Sequence, residues 1–448
     1  MSIPGDQILG ALMFVGMIGF LFLGFPVAFS LTFTGLFFGS IAVLLGYLHP
    51  NFFDILPLRI WGTMTNFTLL AVPLFVFMGV ALEKSGLAEE LLETMGLLFG
   101  KLKGGLAISV VVVGAILAAS TGIVGASVIT MGLISLPTML RRGYNKELIC
   151  GTICASGTLG QIIPPSLILI LLADITNQSV GTLFAAAMVP GLLLAALYVI
   201  YILVLGMVRP DMAPAIPPKE RAAISGAQLA GKLLRVVAPP IGLVIAVLGS
   251  IIAGVAAPSE AAAMGALGSI LVAAIGRRLT FQVLRETVQS TTRITAMVMF
   301  ILICAQVFSL AFRGLQGEKL VQDMFEFLPG GINADIWFLM LLIFVLGFFI
   351  EWIEISYIAV PLFLPIFISA GTDLVWLATL ICVNLQTSFL TPPFGWSLFF
   401  LRGVAPPEVT TGDIYRGIIP FVALQVMALV LCFFFPGIAT WLPKAIGW

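Results

Sequence analysis

Apolar residues run along this chain in long blocks, with little of the alternation that marks an element half exposed to water. A helix that crosses a bilayer needs about 20 such residues. Blocks of that kind lie near 7–25, 29–47, 66–83, 147–176, 181–208, 236–253, 257–276, 294–312, 375–401 and 414–436. Two further blocks, 105–138 and 333–366, are about 34 residues each, too long for one perpendicular helix and too short for two crossings with a loop. Each fits a re-entrant hairpin whose arms reach mid-membrane and return. Between 84 and 103, Glu89, Glu90, Glu93 and Lys101 sit among leucines, the pattern of an interfacial amphipathic helix. The Pro-rich stretch from Arg209 to Arg235, with five basic residues, is the only sizeable polar linker and lies near the middle.

Composition agrees and narrows the chemistry. Of 448 residues, 60% are hydrophobic and 9% charged, with a mean hydropathy of +1.16; soluble domains carry about 25% charged residues. The expected class is an all-α polytopic membrane protein. The 21 basic and 21 acidic side chains balance to zero, leaving no basic face for nucleic acid. His49 is the single histidine, so a His-ligated metal centre or a Ser-His-Asp triad has little to be built from. Cys150, Cys154, Cys304, Cys382 and Cys432 all fall in apolar runs and read as small buried hydrophobes. There is no P-loop for ATP hydrolysis. No basic region precedes the block from Gln7, which reads as a retained span and not a cleaved signal peptide.

The polar linker invites a comparison of the two halves. Pro137, Pro164 and Pro165 recur as Pro365, Pro392 and Pro393, always at an offset of 228 residues, and Ile153-Cys154 recurs as Ile381-Cys382 at the same offset. Lys101, Lys103, Arg141, Arg142 and Lys146 flank the first long block, whereas Asp323, Glu326, Asp335 and Asp373 flank the second. The positive-inside rule then has the first hairpin entering from the cytoplasm and the second from the opposite side. The expectation is two inverted-topology repeats, each with a re-entrant helical hairpin and a broken helix. The divisions are 1–104 and 105–208 for the first repeat's scaffold and its hairpin-and-break part, 209–235 for a cytoplasmic linker, and 236–332 and 333–448 for the corresponding parts of the second repeat.

Inverted repeats with helices broken at the midplane are how secondary transporters are built, because freed backbone groups there line a protected cavity. In the first half the tip is Ala119-Ser120-Thr121-Gly122 and the break runs from Ser156 through Thr158, Gly160, Pro164 and Pro165 to Ser166. In the second half the tip runs from Gly347 to Glu354 and the break from Asn384 through Gln386, Thr391, Pro392 and Pro393 to Gly395. Hydroxyls, amides and unpaired carbonyls are hard donors that suit Na⁺ better than a transition metal. Each hydroxyl alone also fits a packing role, bonded back to its own helix, and a proline pair alone fits a simple kink. Thr121, Thr158, Pro164, Pro165, Glu354, Asn384, Pro392 and Pro393 stand as candidates for substrate contact or gating.

Glu351 and Glu354 are the only acids between Asp335 and Asp373, and i,i+3 spacing puts both on one face of a helix. An intramembrane carboxylate costs several kcal/mol and marks a functional site by default; the alternatives are a wet tip or a structural pair with Arg293 or Arg313. Asp174 and Glu260 lie nearer span ends, where an aqueous location accounts for them.

These residues resemble a known family. Ala119-Ser120-Thr121-Gly122 through Pro137, Met139 and Gly143-Tyr144, followed by Gly160-Gln161-Ile162-Ile163-Pro164-Pro165-Ser166, is similar to the large membrane subunit of tripartite ATP-independent periplasmic (TRAP) transporters. So are Leu346-Gly347-Phe348-Phe349-Ile350-Glu351, Thr391-Pro392-Pro393-Phe394-Gly395 and Val72-Pro73-Leu74-Phe75. The resemblance covers essentially the whole chain. It implies an elevator-type transporter of the ion-transporter superfamily in the bacterial inner membrane, importing an organic acid on the Na⁺ gradient with no cofactor. Its partners would be a small four-span membrane subunit, a periplasmic substrate-binding protein and the surrounding lipid. It places one Na⁺ site at Ser120, Gly122, Ser156 and Gly160 and another at Gly347, Glu351, Gln386 and Thr391. The family commonly has Ser-Gly-Ser at the first tip and Asp where Glu351 stands. Rival readings are a stand-alone Na⁺- or H⁺-coupled carrier of the same superfamily, an intramembrane enzyme, disfavoured by the absence of H-E-x-x-H and G-x-G-D patterns, and a passive channel.

Overall fold

A computed structural model describes residues 4–122, 124–217, 226–326, 329–393 and 395–448; the side chains of 118–121, 324 and 326 lie outside this description. Every regular element among the described residues is a helix. Among the described residues, nine helices, or up to ten if a bent pair is one span, are long and apolar enough to cross a membrane. Their outer faces are apolar, with Ile8, Leu12, Phe29, Leu44, Leu192 and Phe434 among the exposed side chains. That is the surface of a protein whose solvent is hydrocarbon.

The chain opens with α1 (Gly5–Phe22) and α2 (Val27–Leu44), joined by a corner at Gly24-Phe25-Pro26. The block at 66–83 forms one segment, Thr68–Lys84, entered through a sharp bend. A short helix α3 (Leu56–Met64) and α4 (Ala71–Lys84) belong to segments bent by 52° about Thr65-Asn66. The cause is local: Asn66 Oδ1 accepts the Thr68 N–H at 2.9 Å, an Asx turn that competes with the helix. The amphipathic stretch forms α5 (Leu87–Phe99), which starts after Gly86 at φ +68°. Arg278 donates to the Ser85 and Gly86 carbonyls at 3.0 and 2.7 Å and pairs with Glu90, clamping this turn.

Both 34-residue blocks fold as two helical arms. They are α6 (Gly105–Thr121) with α7 (Val124–Arg141), and, in the second half, Ile332–Leu346 with Trp352–Ser369. After the first hairpin, α8 (Lys146–Thr158) stops, a 3₁₀ turn Leu159–Gln161 and an irregular stretch carry the Pro164–Pro165 bond, which is cis, and α9 (Leu167–Thr176) leads to α10 (Val180–Val208). Proline cannot continue the helical ladder, which is why the break falls here.

The polar linker packs onto the first half at both of its described ends. Its first part is pinned to the base of the first hairpin: Asn145 and Gly104 donate to the Met212 and Ala213 carbonyls at 3.0 and 2.8 Å, and Ile216 donates to Gly100 at 3.0 Å. Its end is already helical, as α11 (Gly226–Val236), an amphipathic helix joined to α5 by a Lys232–Glu93 ion pair at 2.9 Å. Next come α12 (Ala238–Ile252), α13 (Pro258–Ile275) and α14 (Phe281–Gly314). The last, 34 residues long, starts well before the block read at 294–312, because Thr280 caps it by accepting from Val283 at 3.1 Å and no proline interrupts it. Then follow α15 (Gly317–Glu326), the second hairpin α16 (Ile332–Leu346) and α17 (Trp352–Ser369), α18 (Leu374–Leu390), a break with a cis Pro392–Pro393 bond, α19 (Trp396–Val404), α20 (Thr411–Phe434) and α21 (Gly437–Ala445).

The element order hairpin, broken helix, long helix thus occurs twice. The two sets interlock: the second arm of each hairpin packs on the short helix beyond the other set's break, α7 on α19 and α17 on α9. At the centre lie α8 and α18, buried from Leu148 to Thr158 and from Leu377 to Leu390.

Candidate functional site

Thr158 ends α8, and Gln386, 228 residues on, sits in α18. These repeat-equivalent positions touch: Gln386 Nε2 donates to Thr158 Oγ1 at 3.2 Å. Gln425 of α20 donates to the same oxygen at 3.4 Å, and Thr158 gives its own proton to the Ala155 carbonyl at 2.9 Å. Among the described residues, the buried amide oxygens of Gln386 and Gln425 meet no donor, and the Gln161 amide in the first break has neither a donor for its oxygen nor an acceptor for its nitrogen. The centre of the molecule therefore holds uncharged oxygens short of partners, a costly arrangement unless something fills it.

The equivalent cysteines reach across in the same crossed fashion. Cys382 donates to the Gln161 carbonyl at 3.2 Å and Cys154 to the Ser397 carbonyl at 3.6 Å. All five cysteines are buried and unbridged.

The hydroxyls of the breaks are bonded back to their own helices: Ser156 to Ile153 at 3.0 Å, Thr387 to Val383 at 3.0 Å, Ser388 to Leu385 at 2.8 Å and Thr391 to Thr387 at 2.7 Å. A hydroxyl that donates this way keeps its lone pairs, so the packing role and the ligand role coexist in one side chain. Asn384 instead donates to the Met340 carbonyl of α16 at 2.7 Å, fastening the hairpin arm to α18.

Gly122 sits at φ +60°, where a Cβ would lie 3.4 Å from Leu167, so the first tip meets the start of α9. It lies against Pro165 and Leu167, which follow the break in the chain, while Ser156 and Gly160, which precede it, are both buried. Ser120 and Thr121 side chains fall outside the described residues. Gly347 lies against Ser388, with no room for a Cβ, which brings the second tip to α18 near Gln386 and Thr391. The two breaks differ in access: Pro164 and Pro165 are buried, whereas Pro392 is half-buried and Pro393 exposed.

Glu351 is the N-cap residue of α17 and Glu354 is buried in its first turn; both line a cavity beside the α1–α2 corner. Neither has an arginine partner among the described residues, and Arg313 pairs with Glu318 at 2.9 Å. Asp174, half-buried near the end of α9, is tied to its neighbours. It accepts from Tyr357 Oη at 2.9 Å and from the Asn66 amide, tying α9 to α17 and to the bend before α4. Glu260 does sit exposed, accepting from Ala257 at the start of α13 at 2.9 Å. Gln425 and Asn66 went unnoticed in the sequence; a lone amide in an apolar span is the signal that marks them. No group of three His, Cys, Asp or Glu among the described residues stands ready for a transition metal.

The helical fold and its interlocked hairpins and breaks are those of a membrane transporter. The crystal structure of the Alcanivorax borkumensis YdaH transporter matches with a TM-score of 0.56, at 15% identity over 84% of this chain and 87% of that one. The sequence profile of the DctM component of tripartite ATP-independent periplasmic transporters matches residues 14–438, and the chain belongs to that family. It is 30% identical to the C4-dicarboxylate TRAP transporter large permease protein DctM of Pseudomonas aeruginosa, over 91% of this chain and 93% of that protein. The ectoine/5-hydroxyectoine permease UehC of Ruegeria pomeroyi is 28% identical over 97% of this chain and 98% of its own length. The sialic acid permease SiaM of Vibrio cholerae is 27% identical over 96% and 97%. These relatives are permease components of transporters, not enzymes.

Proposed function

We propose that this permease imports an organic acid across the bacterial inner membrane, coupled to Na⁺ and working with a small four-span subunit and a periplasmic binding protein. The observation that carries the reading is the contact between Thr158 and Gln386, flanked at two broken helices by amide oxygens that meet no donor among the described residues. Neutral hard oxygens at freed helix ends are the donor chemistry of a weakly bound alkali cation. Ser120, Gly122, Ser156 and Gly160 form one proposed Na⁺ site, and Gly347, Glu351, Gln386 and Thr391 the other. Relatives named for C4-dicarboxylate and sialic acid support a carboxylate-bearing solute.

Orientation follows from the charges. Under that rule the α1–α2 corner faces the cytoplasm and the second hairpin enters from the periplasm. Phe349 of that hairpin lies against Phe22 at the corner, ring centroids 4.9 Å apart. That contact supports the reading of a transport domain lowered toward the cytoplasm in an elevator motion. Coupling requires Na⁺ to bind one conformation better than the other.

The test is uptake into vesicles reconstituted with both partner proteins. A Na⁺ gradient should drive it, and Gln386→Ala should raise the half-saturating Na⁺ concentration about tenfold through loss of a ligand to a charge. Na⁺-independent uptake, or unchanged Na⁺ dependence after Ser120→Ala with Thr391→Ala, would sink the reading.

A further inference from the structure

We propose that the crevice between α5 and α7 binds a zwitterionic, amine-bearing phospholipid of the cytoplasmic leaflet, with the lipid phosphate at Arg141 and its primary ammonium at Glu89. The site lies on the membrane face of the protein, apart from the ion and solute centre, and goes beyond the transport reading.

A cavity of about 630 Å³ lies between the interfacial helix α5 and the second arm of the first hairpin, and Ile216 of the pinned linker forms part of its wall. Small-molecule sites span roughly 300–1,000 Å³. The positive-inside rule sets this crevice at the cytoplasmic surface, where the last turn of α7 carries Arg141.

Two stripes line it. From α7 come Leu133, Pro137 and Arg141, all exposed. Their spacing of four puts them on one helix face, apolar toward the hairpin tip and basic at the surface. From α5 come Glu89, Glu93 and Leu97 at the same spacing. The acids of α5 are not equivalent: Glu90 pairs with Arg278 and Glu93 with Lys232, whereas Glu89 has no ion partner among the described residues. Arg141 has none there either. Opposite charges thus line one cavity, both exposed, without pairing to each other.

That combination selects the occupant. A soluble anion answers Arg141 but leaves Leu133 and Pro137 uncovered, and a bare hydrocarbon chain covers those two but not the charges. An anionic phospholipid sets its uncompensated charge against Glu89 and Glu93. A zwitterionic headgroup meets both signs at once while its acyl chain follows the apolar part of the α7 stripe. Basic pockets at the cytoplasmic ends of spans take lipid headgroups, and the acids of α5 add a seat for an ammonium with three N–H donors.

The purified full-length chain in detergent tests this with two lipids of identical acyl chains, phosphatidylethanolamine and phosphatidylglycerol; the second keeps the phosphate and replaces the ammonium by hydroxyls. A ligand of the folded state stabilises it by mass action. Phosphatidylethanolamine should raise Tm at a concentration about fivefold lower than phosphatidylglycerol, the worth of one partly exposed ion pair. Glu89→Gln should erase that preference, and Arg141→Gln should weaken the response to both lipids. Both side chains are exposed, so neither change should unfold the protein. Equal responses, a preference for phosphatidylglycerol, a preference that survives Glu89→Gln, or unchanged responses in Arg141→Gln overturns the proposal. In melts repeated with the small four-span subunit bound, the preference should persist; its loss assigns the crevice to that protein and overturns the lipid as occupant.

Discussion

Thr158 receives two amide protons and gives away its own, so its oxygen is fully used while the Gln386 and Gln425 amide oxygens beside it are not. Such asymmetry locates the demand for a cation or a water on the glutamines and not on the hydroxyl. Asp174 presents the opposite case, a half-buried carboxylate with both oxygens engaged, by Asn66 and by Tyr357. Asp174→Ala should therefore destabilise the purified protein by about 1–3 kcal/mol, since it strands two donors. Tyr357→Phe, which removes one hydrogen bond, should cost less, about 1 kcal/mol. Thermal unfolding in detergent checks both, and no loss in either variant would show that the cluster does not hold α9 to α17.

At the level of elements, α8 and α20 approach through glycine. A Cβ on Gly151 would meet the backbone of Gly417, and one on Gly417 would meet the Glu147 carbonyl. Small residues allow this approach where lipid supplies no hydrophobic drive between helices. Gly417→Val should cost about 1–3 kcal/mol or more by overpacking against backbone that cannot yield, while Gly403→Ala, with nothing within 4 Å of the new Cβ, should leave Tm within a degree or so. Charge contacts sort by exposure. Lys232 and Glu93 are 31% and 63% exposed, so Lys232→Ala should change stability by less than about 1 kcal/mol. Arg278→Ala removes two carbonyl hydrogen bonds as well as the Glu90 pair and should do more. The order of the two Tm values is the readout.

For the whole molecule, the interlocking of α7 with α19 and of α17 with α9 binds the two hairpins and the two broken helices into one body. The second hairpin's tip rests against the α1–α2 corner, which belongs to the other set of spans. If that body travels, a short thiol cross-linker between Phe22→Cys and Phe349→Cys should stop uptake, and cleaving the linker should restore it. The native cysteines are all buried, which keeps the reagent on the introduced pair. Uptake that continues after a verified cross-link would rule out movement of the hairpin past the corner.

The helical character of the apolar blocks, the proline register at 228 residues and the paired arms of the two 34-residue blocks were legible in the sequence, because hydropathy and proline act locally: one sets what the bilayer accepts, the other where a helical ladder stops. The polar residues of the breaks were legible for the same reason, since a hydroxyl or amide in an apolar run stands out. The bend at Asn66, the start of α11 inside the polar linker and the full length of α14 were not, for each depends on a cap or a turn that the hydropathy pattern does not record. Nor was it visible that equivalent residues of the two copies would touch, or that Gln425 would join them. Those contacts join positions tens to hundreds of residues apart, and only the packing of one half of the chain against the other brings them within reach.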